Sequence, residues 1–500
     1  MNANLYAVFE AAGRDRGDRE FIETDDGRIF SRADAAGASA RLANLLVALG
    51  ARRGDRIAVQ VEKSPESLFL YLACLRAGLV YVPLNTAYQR GELAHFIADA
   101  EPRVIVCHPR SVELMQELSA GAAQVISLDE HGQGSLTREA AGREPEFFTV
   151  ESKPDDLAVI IYTSGTTGRS KGAMVTHRNL ESNARTLVEY WKFRESDVLL
   201  HALPIFHVHG LFVANHCALM SGAKLLWHRK FDVKLVLRDL PRATVMMGVP
   251  TFYTRLLAEP AFSRDLAHNV RLFISGSAPL LASTFDGFHE RTGRYILERY
   301  GMSETCMNTS NPLDGERRAG SVGFPLPGVS VRIAGDHDQP LPQGEMGGIQ
   351  VKGENVFSGY WRMPEKTRED FTVDGWFRTG DVGLFDADGY LCISGRAKDL
   401  IISGGYNVYP KEIEMALDAM PGVAESAVIG VPHPDFGEAV AAVIVPRKGA
   451  QLDPPAIIAE LRKNLANFKV PKQVYLVDDL PRNAMGKVQK AELRGRYRNV

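Results

Sequence analysis

Short apolar runs alternate with helical patterns through the first three hundred residues, and that alternation leaves few architectures open. Residues 56–61 (RIAVQV), 79–83 (LVYVP), 104–107 (VIVC) and 125–128 (VISL) read as strands. Between the first two, residues 64–77 follow a helical period, with Leu68, Leu70, Leu72 and Leu75 around an apolar face. The pattern resumes at residues 157–162 (LAVIIY), 198–203, 223–227, 244–249 and 272–275. Strand–helix–strand alternation predicts parallel sheet covered by helices, an α/β fold.

After about residue 320 glycine and proline become dense. Segments VSVRIAG, GGIQVKG and GYLCISG, separated by turn-rich stretches, read as the hairpins of a small β-rich subdomain. From Pro410 an amphipathic helix begins, followed by strands AESAVIGV and EAVAAVIVP, a second helix and a last strand QVYLVDDL. The chain of 500 residues is too long for one core. The expected division is a large domain over 1–395, a hinge over 396–399 and a small α+β domain over 400–500.

Lys+Arg is 58 and Asp+Glu is 61, so the net charge is −3, which argues against a general nucleic-acid or anionic-membrane binder. The five cysteines (Cys74, Cys107, Cys217, Cys306, Cys392) form no CxxC pair and read as free thiols. The first residues lack a basic segment followed by an apolar one, and no run approaches the length of a membrane span. The expected location is the cytoplasm.

The strongest local signal is TSGTTGRSK over 163–171, directly after an apolar strand. Gly165 and Gly168 free the backbone to turn several N–H groups inward. Thr163, Ser164, Thr166 and Thr167 add hydroxyls, and Lys171 adds a compact cation. Oriented N–H donors, hydroxyls and an ammonium are what an oligophosphate needs. A Walker A loop is excluded, because Ser170 and not glycine precedes Lys171. Residues 168–172 (GRSKG) match the GxSxG nucleophile elbow, but that short match lies inside a longer string with a better explanation.

TSGTTGRSK resembles the phosphate loop of the adenylate-forming superfamily, which includes acyl-CoA synthetases, luciferases and stand-alone adenylation domains. The resemblance spans almost the whole chain: AGLVYVPLN (77–85), PIFHVHG (204–210), YGMSET (300–305), GWFRTGDVG (375–383), GRAKDLIISGGYNVYP (395–410) and LPRNAMGK (480–487) match the family's ordered motifs. It implies a two-step reaction. A carboxylate attacks the α-phosphate of MgATP, giving an acyl-adenylate and pyrophosphate; a thiol, usually that of coenzyme A, then displaces AMP. The small domain is implied to rotate between the steps.

The resemblance also implies residue roles. Tyr300 stacks on adenine, Glu304 helps hold Mg²⁺, and Thr305 contacts phosphate. Asp381 accepts both ribose hydroxyls, and Arg396 reaches ribose or phosphate. Ser277, Ala278, Glu298, Arg299 and Gly301 border the nucleotide. Lys487 carries the first step by bringing an ammonium between two anions, and is the target of a lysine acetyltransferase and deacetylase. Lys398 is the hinge residue, and Gly404 and Gly405 enter the site for the thioester step. Monomer or weak dimer is the expected state.

The acyl pocket is implied to be lined by residues 204–210, 248–255 and 275–279 together with Gly301 and Met302, with His207 and Ser277 against the acid. The segment ALPIFH has no early Asp for an amino group, which argues against amino-acid activation. The whole string is similar to malonyl-CoA synthetases, with ligases for other short-chain or aromatic carboxylates as the alternative. Arg255, in GVPTFYTRLL, is the expected partner of malonate's second carboxylate, because a guanidinium in an apolar pocket needs an anion. A surface pair with Glu259, four residues on, is the competing role of Arg255.

Overall fold

The computed structural model describes residues 2–13, 17–163, 170–403, 406–433, 437–483 and 486–498. Among them the strands form four sheets. In the first, Gln124–Ser127, Val104–Cys107, Arg56–Gln60, Val80–Pro83 and Leu157–Thr163 lie side by side in parallel, and Lys171–Thr176 closes the edge antiparallel. The second runs parallel from Glu20–Thr24 through Lys224–Trp227, Val198–His201, Val245–Gly248 and Leu272–Ser275 to Leu297–Met302, with antiparallel strands at both ends. Ladders of Val, Ile and Leu buried on both faces are what parallel pairing requires.

Helix Pro65–Arg76 differs from the one-sided helix its period predicts. Each of its residues except Glu66 is buried, Arg76 included. A helix apolar on nearly all sides belongs inside a core, and this one joins the largest apolar cluster of the molecule. Ser64 caps it through Ser67 N, and Pro65 occupies its first turn.

The β-rich segment is an antiparallel sheet of Val329–Ala334, Gly347–Gly353, Phe377–Phe385 and Leu391–Arg396. It includes one helix absent from the sequence reading, Pro364–Asp370. PEKTRED buries no residue fully, so it carries no apolar period to detect.

The last sheet strand ends at Arg396, the short turn Ala397–Asp399 follows, and the C-terminal sheet starts at Ile401–Ser403. That sheet pairs Val423–His433 with Gly437–Pro446 and adds Gln473–Leu476 in parallel. Helices Pro410–Asp418, Pro454–Asn464 and Lys490–Arg496 complete the small domain. Among the described residues no helix is long and apolar enough to cross a membrane.

Candidate active site

The strand Leu157–Thr163 delivers Thr163 to a buried carboxylate. Thr163 Oγ1 donates to Glu304 Oε1 at 3.3 Å, and the Tyr360 hydroxyl donates to the same oxygen at 3.3 Å. Burial raises the Glu304 pKa. Lys171, at the start of the next strand, is buried with its ammonium 4.2 Å from the centre of the Tyr360 ring and 3.6 Å from Asp370 Oδ2. The Thr305 hydroxyl is buried with no hydrogen-bond partner among the described residues. Ser164, Gly165, Thr166, Thr167 and Gly168 lie outside the described residues, as do Gly404 and Gly405.

A second carboxylate stands between two partners. Asp381 Oδ2 accepts from the Tyr300 hydroxyl at 2.5 Å, and Oδ1 lies 2.8 Å from Arg396 Nε. Asp381 and Arg396 face each other across neighbouring strands, so the sheet register itself creates the pair. The Tyr300 ring is 9% exposed and packs beside Val322, Ile349 and Leu391.

Side chains alternate along Leu297–Met302. Glu298 and Tyr300 take one face and Arg299 the other. Glu298 Oε1 accepts from Leu280 N at 3.0 Å, its Oε2 has no partner among the described residues, and burial lifts its pKa to about 7. Ala278 is half-buried in the loop just before Leu280.

Arg299 is 3% exposed, and its Nε and Nη2 find no hydrogen-bond partner among the described residues. Burial lowers its pKa to about 9. Gly276 makes room for it: a Cβ there would sit 2.5 Å from Arg299 Cζ. Its positive field reaches His207, His209 and Tyr253, which come from the segments expected to line the acyl pocket. Burial, reinforced by that charge, pushes the His207 pKa down to about 4 and that of His209 well below its usual range, so both rings are neutral near pH 7. His209 Nδ1 lies 3.3 Å from Ser277 Oγ. Ser277 holds φ at +71°, a strained value for a residue with a Cβ. Gly301 and Met302 continue the strand, and Met302 packs against the cluster of Ala173, Phe357 and Tyr360.

Arg255 is not that buried guanidinium. It is exposed on helix Pro250–Ala258 and makes no ion pair with Glu259 among the described residues. The premise of a buried charge in need of an anion therefore holds for Arg299 and fails for Arg255.

Sequence reasoning also missed Lys63. Its ammonium is buried, 3.1 Å from His201 Nδ1 and 2.8 Å from His201 O, above the Trp227 ring. His201 Nε2 lies 3.0 Å from Gly210 O. With Lys63 donating to Nδ1, the ring donates from Nε2 to the carbonyl and so fixes the end of the 204–210 segment. Gly210 is required there, since a Cβ would come 2.1 Å from Pro204 O. No pattern in the sequence marks Lys63 or His201; His209 lies within PIFHVHG.

The small domain brings Lys487 to the same place. Lys487 keeps exposed surface, yet protein crowds its ammonium. Desolvation first, then the nearby Arg396 and Lys398 cations, lower its pKa to about 8, while Asp381 and Asp399 pull the other way. Lys398 is exposed in the turn Ala397–Asp399, and partial desolvation of its ammonium with the neighbouring Arg396 charge lowers its pKa. Asp399 is tied to Arg494 of helix Lys490–Arg496 at 2.9 Å.

These features match known proteins over the full chain. The family model for AMP-binding enzymes covers residues 9–361, and the model for the AMP-binding enzyme C-terminal domain covers 412–487. The ATP-bound crystal structure of MatB from Rhodopseudomonas palustris is 55% identical with a TM-score of 0.98, spanning 100% of this chain and 99% of that one. The apo form of MatB is 54% identical and superposes with a TM-score of 0.87, spanning 100% of this chain and 99% of that one. Among curated relatives, a feruloyl-CoA synthase from Amycolatopsis is 39% identical, covering 94% of both chains. A malonate–CoA ligase from Arabidopsis thaliana is 35% identical, covering 100% of this chain and 90% of its own. The two buried carboxylates Glu304 and Asp381 and the small-domain lysine Lys487 thus occur together in a chain that belongs to the AMP-binding enzyme family and is an AMP-forming acid–thiol ligase.

Proposed function

We propose that this ligase joins malonate to coenzyme A through malonyl-adenylate. The observation that carries the choice of acid is Arg299, expected from the resemblance beside the nucleotide but set on the strand face opposite Glu298 and Tyr300. Its Nε and Nη2 have no hydrogen-bond partner among the described residues, and leaving buried polar groups of a charged side chain unsatisfied is costly. A substrate with a second carboxylate would relieve that cost by the bidentate pairing guanidinium favours. An aromatic or aliphatic tail would leave it in place. The likeness to malonate–CoA ligase supports the same choice.

In this reading Asp381 accepts the ribose hydroxyls, Tyr300 borders the adenine with Ala278 and Glu298, and Arg396 sits beside the sugar and α-phosphate. Lys171, Thr305 and the loop after Thr163 hold the phosphates. Glu304 would hold Mg²⁺: a buried carboxylate with few countercharges suits a hard cation that arrives on phosphate oxygens. That ion, when bound, offsets the charge of the phosphate chain.

The Lys487 ammonium draws the two anions together. One malonate oxygen attacks the α-phosphorus and pyrophosphate leaves. After the small domain turns about Lys398, the thiol of coenzyme A attacks the acyl carbon, loses its proton and expels AMP. His207, neutral and half-buried, packs at the acid end with Ser277 and Gly301. An acetyltransferase could reach the exposed edge of Lys487, and loss of the charge would silence the first step.

Pyrophosphate release over malonate, methylmalonate, butyrate and ferulate, with and without coenzyme A, tests the reading. Malonate should give the highest kcat/KM. A preference for ferulate or butyrate would overturn the choice of acid while leaving the ligase chemistry intact.

A further inference from the structure

The turn that carries Lys487 is anchored from beneath. Arg482 Nη1 donates to the Gly486 carbonyl at 2.7 Å, and Arg482 Nη2 is paired with the Glu425 carboxylate. Arg482 and Val488 form an antiparallel bridge. Asn483 N donates to Lys487 O at 3.0 Å, and Lys487 N donates to Asn483 Oδ1 at 3.0 Å. Glu425 lies on Val423–His433, where the register against Gly437–Pro446 slips between Val423 and Glu425. Such a bulge re-aims a side chain, and here the carboxylate meets Arg482. The two side chains are 24% and 23% exposed, so the pair is shielded more than an open surface pair.

We propose that Arg482, braced by Glu425, is a positioning residue for Lys487 in the adenylation step. The proposal rests on the role given to Lys487 above. One planar guanidinium binds the carbonyl just before Lys487 and a carboxylate fixed to a strand. It thereby couples the base of a flexible lysine to the sheet of the small domain. The lysine stem has four rotatable bonds, and only its base can be held without blocking its reach. Misplacement of a reacting group by about 1 Å costs on the order of a hundredfold in rate. Thioester formation does not use Lys487 in this scheme, so the loss should be confined to one half of the reaction.

Full-length Arg482→Met, Arg482→Lys, Glu425→Gln and Lys487→Ala test this. Malonate is the acid probe, with ferulate used if the wild type does not turn over malonate. Three quantities are read: pyrophosphate release, thioester formation from supplied acyl-adenylate, and the Kd for ATP. Arg482→Met and Glu425→Gln should slow pyrophosphate release by about ten- to a hundredfold, with Arg482→Lys in between. Thioester formation and ATP affinity should stay within about twofold of wild type. Equal loss in both halves would mean a purely structural role and overturn the proposal, as would no change in either. Lys487→Ala separates the two layers. If it releases pyrophosphate at the wild-type rate, the role of Lys487 itself fails. If it is silent while Glu425→Gln behaves as wild type, only the positioning role fails. Should Arg482→Met not fold, Glu425→Gln decides, because it removes the brace and leaves the guanidinium in place.

Discussion

Gly486 of the small domain lies so close to Thr251 of the large one that a Cβ on it would come 3.1 Å from Thr251 Oγ1. Its φ is +74°, in the left-handed region. Gly486→Ala therefore meets two penalties. The left-handed conformation costs roughly 1–2 kcal/mol for a residue with a Cβ, and Thr251 must give way by a few tenths of an ångström. The strain falls on Gly486 within the small domain, next to Lys487, and the crowding falls on its contact with the large domain. Pyrophosphate release should fall about ten- to thirtyfold, as 1.4–2 kcal/mol implies. Thioester formation from supplied adenylate should fall less. A Thr251→Ala partner, which removes both the hydroxyl and the methyl that crowd the added Cβ, should restore part of the loss.

The pH profile of the first step follows from Lys487. Its pKa is lowered to about 8, and in the proposed scheme the charged form is the productive one. The kcat/KM for ATP, which reports the free enzyme, should be level below that value and decline above it. Lys487→Arg carries a cation that stays charged to about pH 12 or beyond. Its residual activity should lose the alkaline decline. A wild-type profile flat to pH 10 would separate the rate from this lysine.

Asp381 meets Tyr300 and Arg396 at once, and the two partners predict different losses. Asp381→Asn keeps the shape but removes the charge that Arg396 faces and, in the proposed reading, one of the acceptors for ribose. The Kd for ATP should rise by about 1.5–3 kcal/mol, the range of hydrogen bonds to charged groups. Tyr300→Phe removes only the hydroxyl and keeps the ring, so its effect should be about 1 kcal/mol or less. Calorimetry on both variants checks the order. A larger loss for Tyr300→Phe would put the hydroxyl, and not the ring, at the centre of nucleotide binding.

Much of this site is legible in the linear sequence because it lies in contiguous strings on strand ends. TSGTTGRSK follows a strand, and RTGDVG places Asp381 inside one. Most parallel strands of the large domain are apolar enough to be read within a residue or two; Glu20–Thr24 and Leu297–Met302 escape because charged residues interrupt them. What escapes depends on direction in space. Arg255 and Arg299 look alike in sequence, but one is on an exposed helical face and the other on the buried face of a strand. The pairs Lys63–His201 and Arg482–Glu425 span 138 and 57 positions, and only folding brings them together. Asp370 escapes because its helix is polar throughout.

The contrast between the two arginines gives the most discriminating test. Arg299 is buried with two unpartnered nitrogens, so the apo fold bears a cost that substrate would remove. Replacement by an apolar side chain of similar length should stabilise the apo protein. Swaps of that kind for buried ions have gained about 1–4 kcal/mol. Arg299→Met should therefore raise the apparent Tm while kcat/KM for malonate falls by about 2–5 kcal/mol, as for truncation of a buried charge pair. Malonate with a non-hydrolysable ATP analogue should raise the wild-type Tm further than the analogue alone, because a ligand bound only to the folded state stabilises it. That extra shift should vanish in Arg299→Met. Arg255→Ala, on an exposed face, should leave Tm and malonate kinetics near wild type. If instead Arg255→Ala abolished malonate activity and Arg299→Met only lowered the Tm, the second carboxylate would belong to the helix and Arg299 would be a structural residue.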